Sequence, residues 1–192
     1  IDPPADVAVR FRLPTETAVL FTGEPTAVGL AHLQTQPGGV AHLRIGQHFL
    51  DLYAQPASAV IYLPAVGIVC GGGFGSAVHL PMVAVASTGE QELETLRLLA
   101  QLVKQRRFQL YIPHIGVVSS SAVEIMERLA ADVAYFHGVR RVVLPIAQQG
   151  ASFTPIEAVA ASLLPTTRRS VACQTQHLIN LRRLYDAAVP SS

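Results

Sequence analysis

Residues 60–76, VIYLPAVGIVCGGGFGS, decide the fold. An apolar run at residues 60–63 stops at Pro64, and a second run at residues 68–70 follows after a short break. Two short apolar runs joined by a turn are typical of a β-hairpin. The second run ends in three glycines, residues 71–73, whose backbone freedom suits a tight bend. The sequence therefore predicts a hairpin that delivers a glycine bend to the edge of a sheet.

Short strands dominate the chain before this hairpin. Residues 7–13 alternate apolar side chains with small or charged ones, which predicts a strand with one buried face, and residues 18–21 supply its partner. Residues 40–45 and 49–53 predict another hairpin. The chain up to the glycine bend is therefore expected to consist mostly of β-structure.

Beyond residue 87 the apolar spacing becomes helical. Ser87 and Glu90 have the spacing of a capping box, and Leu93 and Leu96 mark the buried face of the helix that follows. After this helix, residues 108–112 predict a further strand, which Pro113 ends.

Three more helices are expected near the carboxyl terminus. The first of them opens at Ser121 and is predicted to end at Gly138, with a strand or loop at residues 142–144. Two others follow, the last from about residue 174 to 188 with Leu178 on its buried face.

Length and composition favour one domain with a large core. The 192 residues suit a single domain, residues 1–192, and strands followed by strand–helix alternation predict an α+β layered fold. Hydrophobic residues make up 50% of the chain and charged residues 14%, with a mean hydropathy of +0.37. This surplus of apolar side chains has two equal interpretations: a surface for self-association, or a core between two sheets.

The charge pattern excludes several partner classes. A net charge of +1, with arginine pairs scattered along the chain, creates no field that would attract nucleic acid or an anionic membrane. The amino-terminal residues lack the pattern of a leader peptide, and no apolar run approaches membrane-spanning length. We therefore expect a cytoplasmic protein without nucleic-acid or membrane partners.

Several segments resemble, in order, the metallo-β-lactamase fold. Residues 58–76 resemble the strand, turn and strand that lead to the aspartate ligand of that fold, and residues 177–189 resemble its closing helix. Residues 93–116, LETLRLLAQLVKQRRFQLYIPHIG, resemble the next helix and the strand ending in proline-glycine-histidine-glycine. The resemblance implies a four-layer αββα sandwich, shortened in its amino-terminal half, and most members of this family are metal-dependent hydrolases.

The family would use zinc, iron or manganese, but the matching positions carry no ligands. Under the resemblance, Gly72 occupies the bridging-aspartate position, Ala54 falls near a histidine position, and Ile115 occupies the last histidine position. Upstream, two alignments stay open. One places Phe21 at an aspartate and lacks the ligand loop, and the other replaces every ligand of the H-x-H-x-D-H motif. The positions replaced in the second alignment are Gly23, Pro25, Ala27 and Val28. Because these side chains offer no lone pair, we expect neither a metal cofactor nor catalytic residues.

The cleft beside the glycine bend is the candidate ligand-binding site. Its candidate residues are Tyr53, Gln55, Gly72, Ser76, His79 and His114. The seven histidines of the chain include no H-x-H or H-x-x-x-H pair, so a local zinc motif is missing. The glycine run resembles an anion nest but lacks a P-loop lysine, so a structural bend is the preferred interpretation. Asp132 is expected on a solvated helix face.

Two functions remain at this point. The first is a non-catalytic, metal-free metallo-β-lactamase-like protein that acts as a binding or scaffold module and self-associates, with room for an unidentified small-molecule ligand in the cleft. The alternative is a metal-dependent hydrolase whose site has been rebuilt around His79 and His114.

Overall fold

The computed structural model describes residues 40–45, 48–54, 59–105 and 107–189. Five strands form one sheet: β1 (Val40–Ile45), β2 (His48–Ala54), β3 (Ala59–Leu63), β4 (Ile68–Gly72) and β5 (Leu110–Pro113). The described helices are α1 (Glu90–Gln105), α2 (Ala122–Gln148), α3 (Thr154–Leu163) and α4 (Val171–Ala188). The hairpin predicted at residues 7–21 lies outside the described residues. The described part is therefore an α+β fold, as the sequence predicts.

The sheet is mixed and follows the chain order from β1 to β5. The first four strands are antiparallel neighbours, and β5 pairs in parallel with β4 after the chain has crossed over through α1. Both hairpins predicted in this region are confirmed, with Tyr62 opposite Val69 in the second one. Val69 lies beside Tyr111 of β5, so the strand after α1 is placed against the glycine bend.

The two faces of the sheet differ in their surroundings. Val60, Tyr62, Val69 and Tyr111 point to one face and are buried in a core shared with helical residues. The opposite face carries apolar side chains that are only half-buried. These include Ile61, Leu63, Ile68, Cys70 and Ile112. Within the described residues the helices therefore cover one apolar face and leave a second one.

Helix α1 begins close to its predicted start, with one change in its cap. The Ser87 hydroxyl accepts a hydrogen bond from the Gly89 amide (3.0 Å) and donates one to Glu92 (2.6 Å). Glu92 also accepts from the Ala84 amide (2.7 Å), so this buried acid replaces Glu90 as the partner of Ser87. The predicted leucine face is buried as expected.

Helix α2 is longer than predicted. Ser121 caps it by accepting from the Glu124 amide (3.2 Å), as the sequence indicates, but the helix continues through Gly138 to Gln148. The strand or loop predicted at residues 142–144 is therefore wrong. Val139 and Val143 are fully buried one turn apart, and their burial outweighs the roughly 1 kcal/mol helix penalty of one glycine.

Helix α4 also departs from its predicted bounds. Ser170 caps it by accepting from the Cys173 amide (3.2 Å), which starts the helix three residues early. The prediction for Leu178 is wrong, because this side chain is 51% exposed. The buried face includes two polar residues instead, His177 and Asn180. No helix in the described ranges has the combined length and apolar character needed to cross a bilayer.

Candidate functional site

The glycine bend is shaped by contact with Tyr111. Strand β4 ends at Gly72, which has a φ of 58°, and the Phe74 amide donates to the Gly71 carbonyl (3.2 Å). A β carbon on Gly71 would lie 1.7 Å from the Tyr111 hydroxyl oxygen, so a larger residue would collide with that ring. Gly75 has a φ of 66° and faces the same ring. The geometry agrees with a structural bend.

Tyr111 holds the bend through its hydroxyl group. This buried group donates to the Phe74 carbonyl (3.0 Å). Burial raises the pKa of Tyr111 well above its ordinary value, and the charge of Asp132 adds to this effect. Tyr111 is therefore a neutral donor throughout the physiological range.

Asp132 binds the bend from the helical side. Its Oδ2 atom accepts from the Gly75 amide (2.8 Å), and its Oδ1 atom pairs with the Arg168 guanidinium. Both side chains are buried, so the predicted solvated position of Asp132 is wrong. Burial raises the pKa of Asp132, while the charge of Arg168 and the two hydrogen bonds lower it. Arg168 is the countercharge that a buried carboxylate requires.

The loop after β5 lies against the bend. The His114 amide donates to the Gly72 carbonyl (2.7 Å). Gly116 adopts a φ of 121°, and a β carbon there would lie 3.0 Å from the Ser76 hydroxyl oxygen and 3.3 Å from Val78 Cγ2. Two loops, residues 72–79 and 114–118, therefore adjoin at the carboxyl ends of β4 and β5.

Polar contacts fix the far end of the second loop. Ser119 exchanges two backbone hydrogen bonds with Tyr111 (2.8 and 3.1 Å), which covers part of the β5 edge. Arg128 donates to the Val117 carbonyl (2.8 Å) and pairs with Glu124. Glu124 also accepts from the Ser119 hydroxyl (2.5 Å), and these two partners lower the pKa of Glu124. The loop is thus tied to both β5 and α2.

The structure brings four of the six candidate residues to these two loops: Gly72, Ser76, His79 and His114. The Ser76 hydroxyl is buried and accepts from the His79 amide (3.0 Å), and His79 Nδ1 lies 2.9 Å from the Leu80 carbonyl oxygen. His114 is exposed, whereas Tyr53 is buried on β2. Gln55 lies outside the described residues. Ligand binding at these positions stays a prediction.

The residues at the bend do not fit the metal centre of the resembled family. Gly72 has no donor side chain, and Ile115 presents an exposed hydrocarbon beside the bend. In the part of the chain that the structure describes, no three His, Cys, Asp or Glu side chains lie close enough together to hold a metal ion. Asp132, the acid that reaches the bend, is engaged by Gly75 and Arg168.

A buried polar cluster between the helices was not found from the sequence. His177 Nε2 lies 2.9 Å from the Ala160 carbonyl oxygen, and Nδ1 lies 2.9 Å from the Tyr135 hydroxyl. Because a carbonyl can only accept, Nε2 carries the proton and Tyr135 donates to Nδ1. Asn180 donates to Tyr135 (3.1 Å) and to the Pro81 carbonyl (2.7 Å). His177 lies four residues from both Cys173 and Leu181, and this helical spacing is the sequence signal that places it on the buried face of α4.

The structure is similar to a sulfatase. No protein-family model matches the chain, and no curated protein sequence matches it. The stereoselective inverting sec-alkylsulfatase Pisa1 from Pseudomonas sp. matches with a TM-score of 0.61 and 14% identity, over 79% of this chain and 25% of that chain. A double mutant of the same enzyme matches with a TM-score of 0.51 and 13% identity over the same shares.

This likeness concerns the fold alone, because the identities are so low. The match is compatible with a distant metallo-β-lactamase-like fold and shows no more than that. The chain spans about a quarter of the length of the sulfatase chain. The activity of that enzyme is therefore not transferred to this chain.

Proposed function

We propose that this chain is a metal-free, non-catalytic protein of metallo-β-lactamase-like fold that acts as a binding or scaffold module. One observation carries the proposal: protein groups hold the glycine bend where the resembled family places an ion. Tyr111 binds the Phe74 carbonyl, and Asp132 binds the Gly75 amide with Arg168 as its countercharge. These contacts support a bend that keeps its shape without a metal.

The chemistry of the bend supports the same proposal. Hydrolysis by this family needs imidazole and carboxylate donors that hold an ion and lower the pKa of bound water to about 7. The side chains of Gly72 and Ile115 supply no metal-binding atom at the two ligand positions that the resemblance assigns to these residues. Each oxygen of Asp132 already has a hydrogen-bond partner. Recruiting Asp132 to an ion would leave Arg168 buried without its countercharge, which is costly.

The four-layer arrangement is part of this proposal. The second apolar face of the sheet needs a covering layer, because half-buried leucine and isoleucine side chains are costly to leave in water. Residues 7–13 and 18–21 carry the strand pattern from which a second sheet could be built. We also propose that the protein works in the cytoplasm without a nucleic-acid partner, in keeping with its net charge of +1.

Metal analysis tests the proposed function. Protein purified without chelator is measured by plasma mass spectrometry before and after incubation with excess zinc and gel filtration. We expect less than about 0.1 equivalent of zinc, iron or manganese per chain in both samples, because no donor set is assembled at the bend. A near-stoichiometric amount of any of these metals would overturn the proposal.

A hydrolase with a rebuilt site is the second candidate. The observation in its favour is that His79 and His114 lie on the two adjoining loops, tied to Ser76 and Gly72 through their backbone amides. The test compares native protein with a His79→Ala/His114→Ala variant on carboxylic esters, lactones, phosphodiesters and secondary alkyl sulfates. Loss of a measured activity would support this candidate, and unchanged turnover would exclude it. His137→Ala, on the exposed side of α2, is the matched control.

A small molecule in the cleft is compatible with the binding-module proposal. Such a ligand would contact Ser76, His79 and His114 beside the bend. A thermal-shift screen would detect it as a rise in melting temperature that grows with ligand concentration. His114→Ala should reduce that rise without changing the melting temperature of the free protein, because this side chain is exposed.

A further inference from the structure

We propose that His177 is an acid-sensitive switch: a proton gained by its ring releases residues 80–84 from α4 while the rest of the fold stays intact. These residues, called the strap below, follow the loop after the glycine bend and precede the turn that leads to α1. Such a switch adds a regulatory role to the proposed function and does not depend on ligand binding at the bend.

Asn180 of α4 holds the strap, which contains no helix or strand. Its side chain donates to the Pro81 carbonyl (2.7 Å) and accepts from the Val83 amide (2.9 Å). All three residues are buried. Because a carbonyl can only accept and an amide N–H can only donate, the Asn180 side chain has one possible orientation. Reversing it would break both contacts with the strap.

The ring of His177 is connected to Asn180 through the hydroxyl of Tyr135. The neutral ring donates from Nε2 to the Ala160 carbonyl of α3 (2.9 Å) and accepts at Nδ1 from Tyr135 of α2 (2.9 Å). Tyr135 accepts in turn from the Asn180 amide nitrogen (3.1 Å). One series of hydrogen bonds therefore runs from the ring to the residue that holds the strap, and the position of each hydrogen is defined.

A proton on Nδ1 is incompatible with this series. Both nitrogens of a charged imidazole donate, so Tyr135 can no longer donate to the ring. The other partner of the hydroxyl is the Asn180 amide nitrogen, which also donates. The Tyr135 hydrogen finds an acceptor when the Asn180 amide reverses and presents Oδ1. In that orientation oxygen faces the Pro81 carbonyl and nitrogen faces the Val83 amide, so both contacts with the strap are lost.

Other charged and titratable groups around Tyr135 do not take over the role of the imidazole. Burial raises the pKa of Tyr135, so its hydroxyl stays neutral. Asp132 of α2 and the Cys173 thiol of α4 raise this pKa further, whereas Arg168, the countercharge of Asp132, lowers it. Helix α3 contributes one charged residue, Glu157, which is exposed. The imidazole is therefore the group in the cluster that titrates between neutral and acidic pH.

The release of the strap follows the pH in a defined direction. Burial lowers the pKa of His177, and the hydrogen bond to Ala160 only partly offsets this. An open cluster exposes the ring to water, where it binds a proton more readily. The strap is therefore held above the ordinary histidine pKa of about 6.5 and is released as the pH falls through the lowered value.

Two other titratable side chains contact the strap. Glu92 of α1 accepts from the Ala84 amide (2.7 Å), and Nδ1 of His79 lies 2.9 Å from the Leu80 carbonyl oxygen. Acid acting through either residue would not involve the imidazole cluster, so variants must separate these routes.

Amide hydrogen exchange, followed by NMR from about pH 7 downward and corrected for intrinsic exchange rates, measures the release. The Val83 amide reports on the strap, and the Tyr111 amide, bound to the Ser119 carbonyl (2.8 Å), reports on the sheet. We expect protection at Val83 to fall at least about tenfold below about pH 6.5, while Tyr111 remains protected.

His177→Gln removes the titrating group but keeps its hydrogen bonds, since glutamine can donate to Ala160 and accept from Tyr135. Protection at Val83 should then be independent of pH over the same range. His79→Gln is the matched control and should keep the native response. Loss of the response in this control would assign it to the loop and would contradict the switch.

Tyr135→Phe tests the connection between the ring and the strap. In this variant Asn180 keeps its contacts with Pro81 and Val83, but no hydroxyl connects it to the ring. Val83 should again be insensitive to acid, although the histidine is present. Circular dichroism melting verifies that each variant is folded.

Three results would overturn the proposal. The first is a native protein whose Val83 amide stays protected at every pH at which the protein is folded. The second is equal protection at Val83 and Tyr111, because both amides would then exchange through global unfolding. The third is a His177→Gln or Tyr135→Phe protein that loses protection at Val83 as the native protein does, which would assign the effect to a group other than the imidazole.

Discussion

Gly71 and Tyr111 constrain each other at the residue scale. The ring of Tyr111 occupies the space that a side chain at position 71 would need. The tyrosine hydroxyl then reaches the Phe74 carbonyl on the far side of the bend. The bend thus depends on the absence of a side chain at Gly71 and on the buried phenol group of Tyr111.

Gly71→Ala should therefore destabilise the protein. The new methyl group would lie 1.7 Å from the Tyr111 hydroxyl oxygen, so we expect the free energy of unfolding to fall by about 2 kcal/mol or more. Gly73→Ala is the control, since no atom lies within 4 Å of its β-carbon position, and its effect should stay below about 0.5 kcal/mol. Urea denaturation measures both. Equal stability of the two variants would contradict the bend geometry.

Asp132 and Arg168 form the second residue-scale contact with the bend. Asp132→Asn keeps an acceptor for the Gly75 amide but leaves Arg168 buried without a countercharge, so we expect a loss of about 3–5 kcal/mol in the free energy of unfolding. The double variant Asp132→Asn/Arg168→Met removes both charges, so its free energy of unfolding should fall by less than that of the single variant. An Asp132→Asn protein as stable as the native chain would show that the pair is not needed.

The burial of Asp132 was only partly visible in the sequence. Leu129 and Phe136 lie one turn before and after it, which places position 132 on the buried stripe of α2. Its countercharge, Arg168, lies in a separate segment beyond α3, and no local pattern relates the two. Side-chain pairs between distant segments require the packed structure, whereas the glycine bend is signalled by consecutive residues.

At the scale of elements, local signals located the start of α2 better than its end, whereas for α4 the predicted start was three residues late and the predicted end was correct. Ser121 and Ser170 cap α2 and α4 through side-chain contacts with nearby amides, and such contacts depend on local sequence. Gly138 suggested an end to α2, but tertiary burial of Val139 and Val143 extends the helix beyond it. Tertiary packing of this kind overrides a single residue's propensity.

Gly138→Ala should stabilise the protein. This glycine lies inside α2, and no atom lies within 4 Å of its β-carbon position. Alanine should therefore raise the free energy of unfolding by about 0.5–1 kcal/mol through its higher helix propensity. Gly89→Ala is the contrasting control, because Gly89 has a φ of 85° and its β carbon would lie 2.9 Å from Arg140 Cδ. A destabilised Gly138→Ala protein would argue against the continuous helix.

The junction of α2, α3 and α4 should respond to acid. Burial lowers the pKa of His177, and its hydrogen bond to Ala160 only partly offsets this. Tyr135 faces the same ring and its hydroxyl accepts from Asn180, and burial raises the pKa of Tyr135, so that group stays neutral. As the pH falls, the unfolded chain therefore binds a proton at His177 at a higher pH than the folded chain does. Stability is retained above the ordinary pKa of about 6.5 and falls as the pH drops through the lowered value.

His177→Gln tests this pH dependence. Glutamine can donate to the Ala160 carbonyl and accept from Tyr135 but does not titrate, so the decline in stability below about pH 6.5 should become shallower. Urea denaturation at each pH measures the slope. His137→Gln, at an exposed position on α2, should keep the native slope. Identical slopes for the native and His177→Gln proteins would contradict the assignment.

At the scale of the whole molecule, the sequence predicted the described sheet and most helices, because alternation, turns and caps are local patterns. The composition also indicated a surplus of apolar residues, but it did not show which of them lie in the core and which lie at an interface. The structure places part of that surplus on the second face of the sheet and part on exposed aliphatic side chains such as Val117 and Val123. Assigning exposed and half-buried positions requires knowing which elements pack together, and composition carries no such information.

We propose that Tyr111, Asp132 and Arg168 hold the bend without a metal ion. Anomalous X-ray diffraction at the zinc edge, from crystals grown in zinc without chelator, tests it most directly. We expect no anomalous peak within coordination distance of the bend, with Asp132 bound to Gly75 and Arg168. A zinc peak between residues 72–79 and 114–118, with Asp132 or the histidines turned toward it, would show that the bend holds a metal ion.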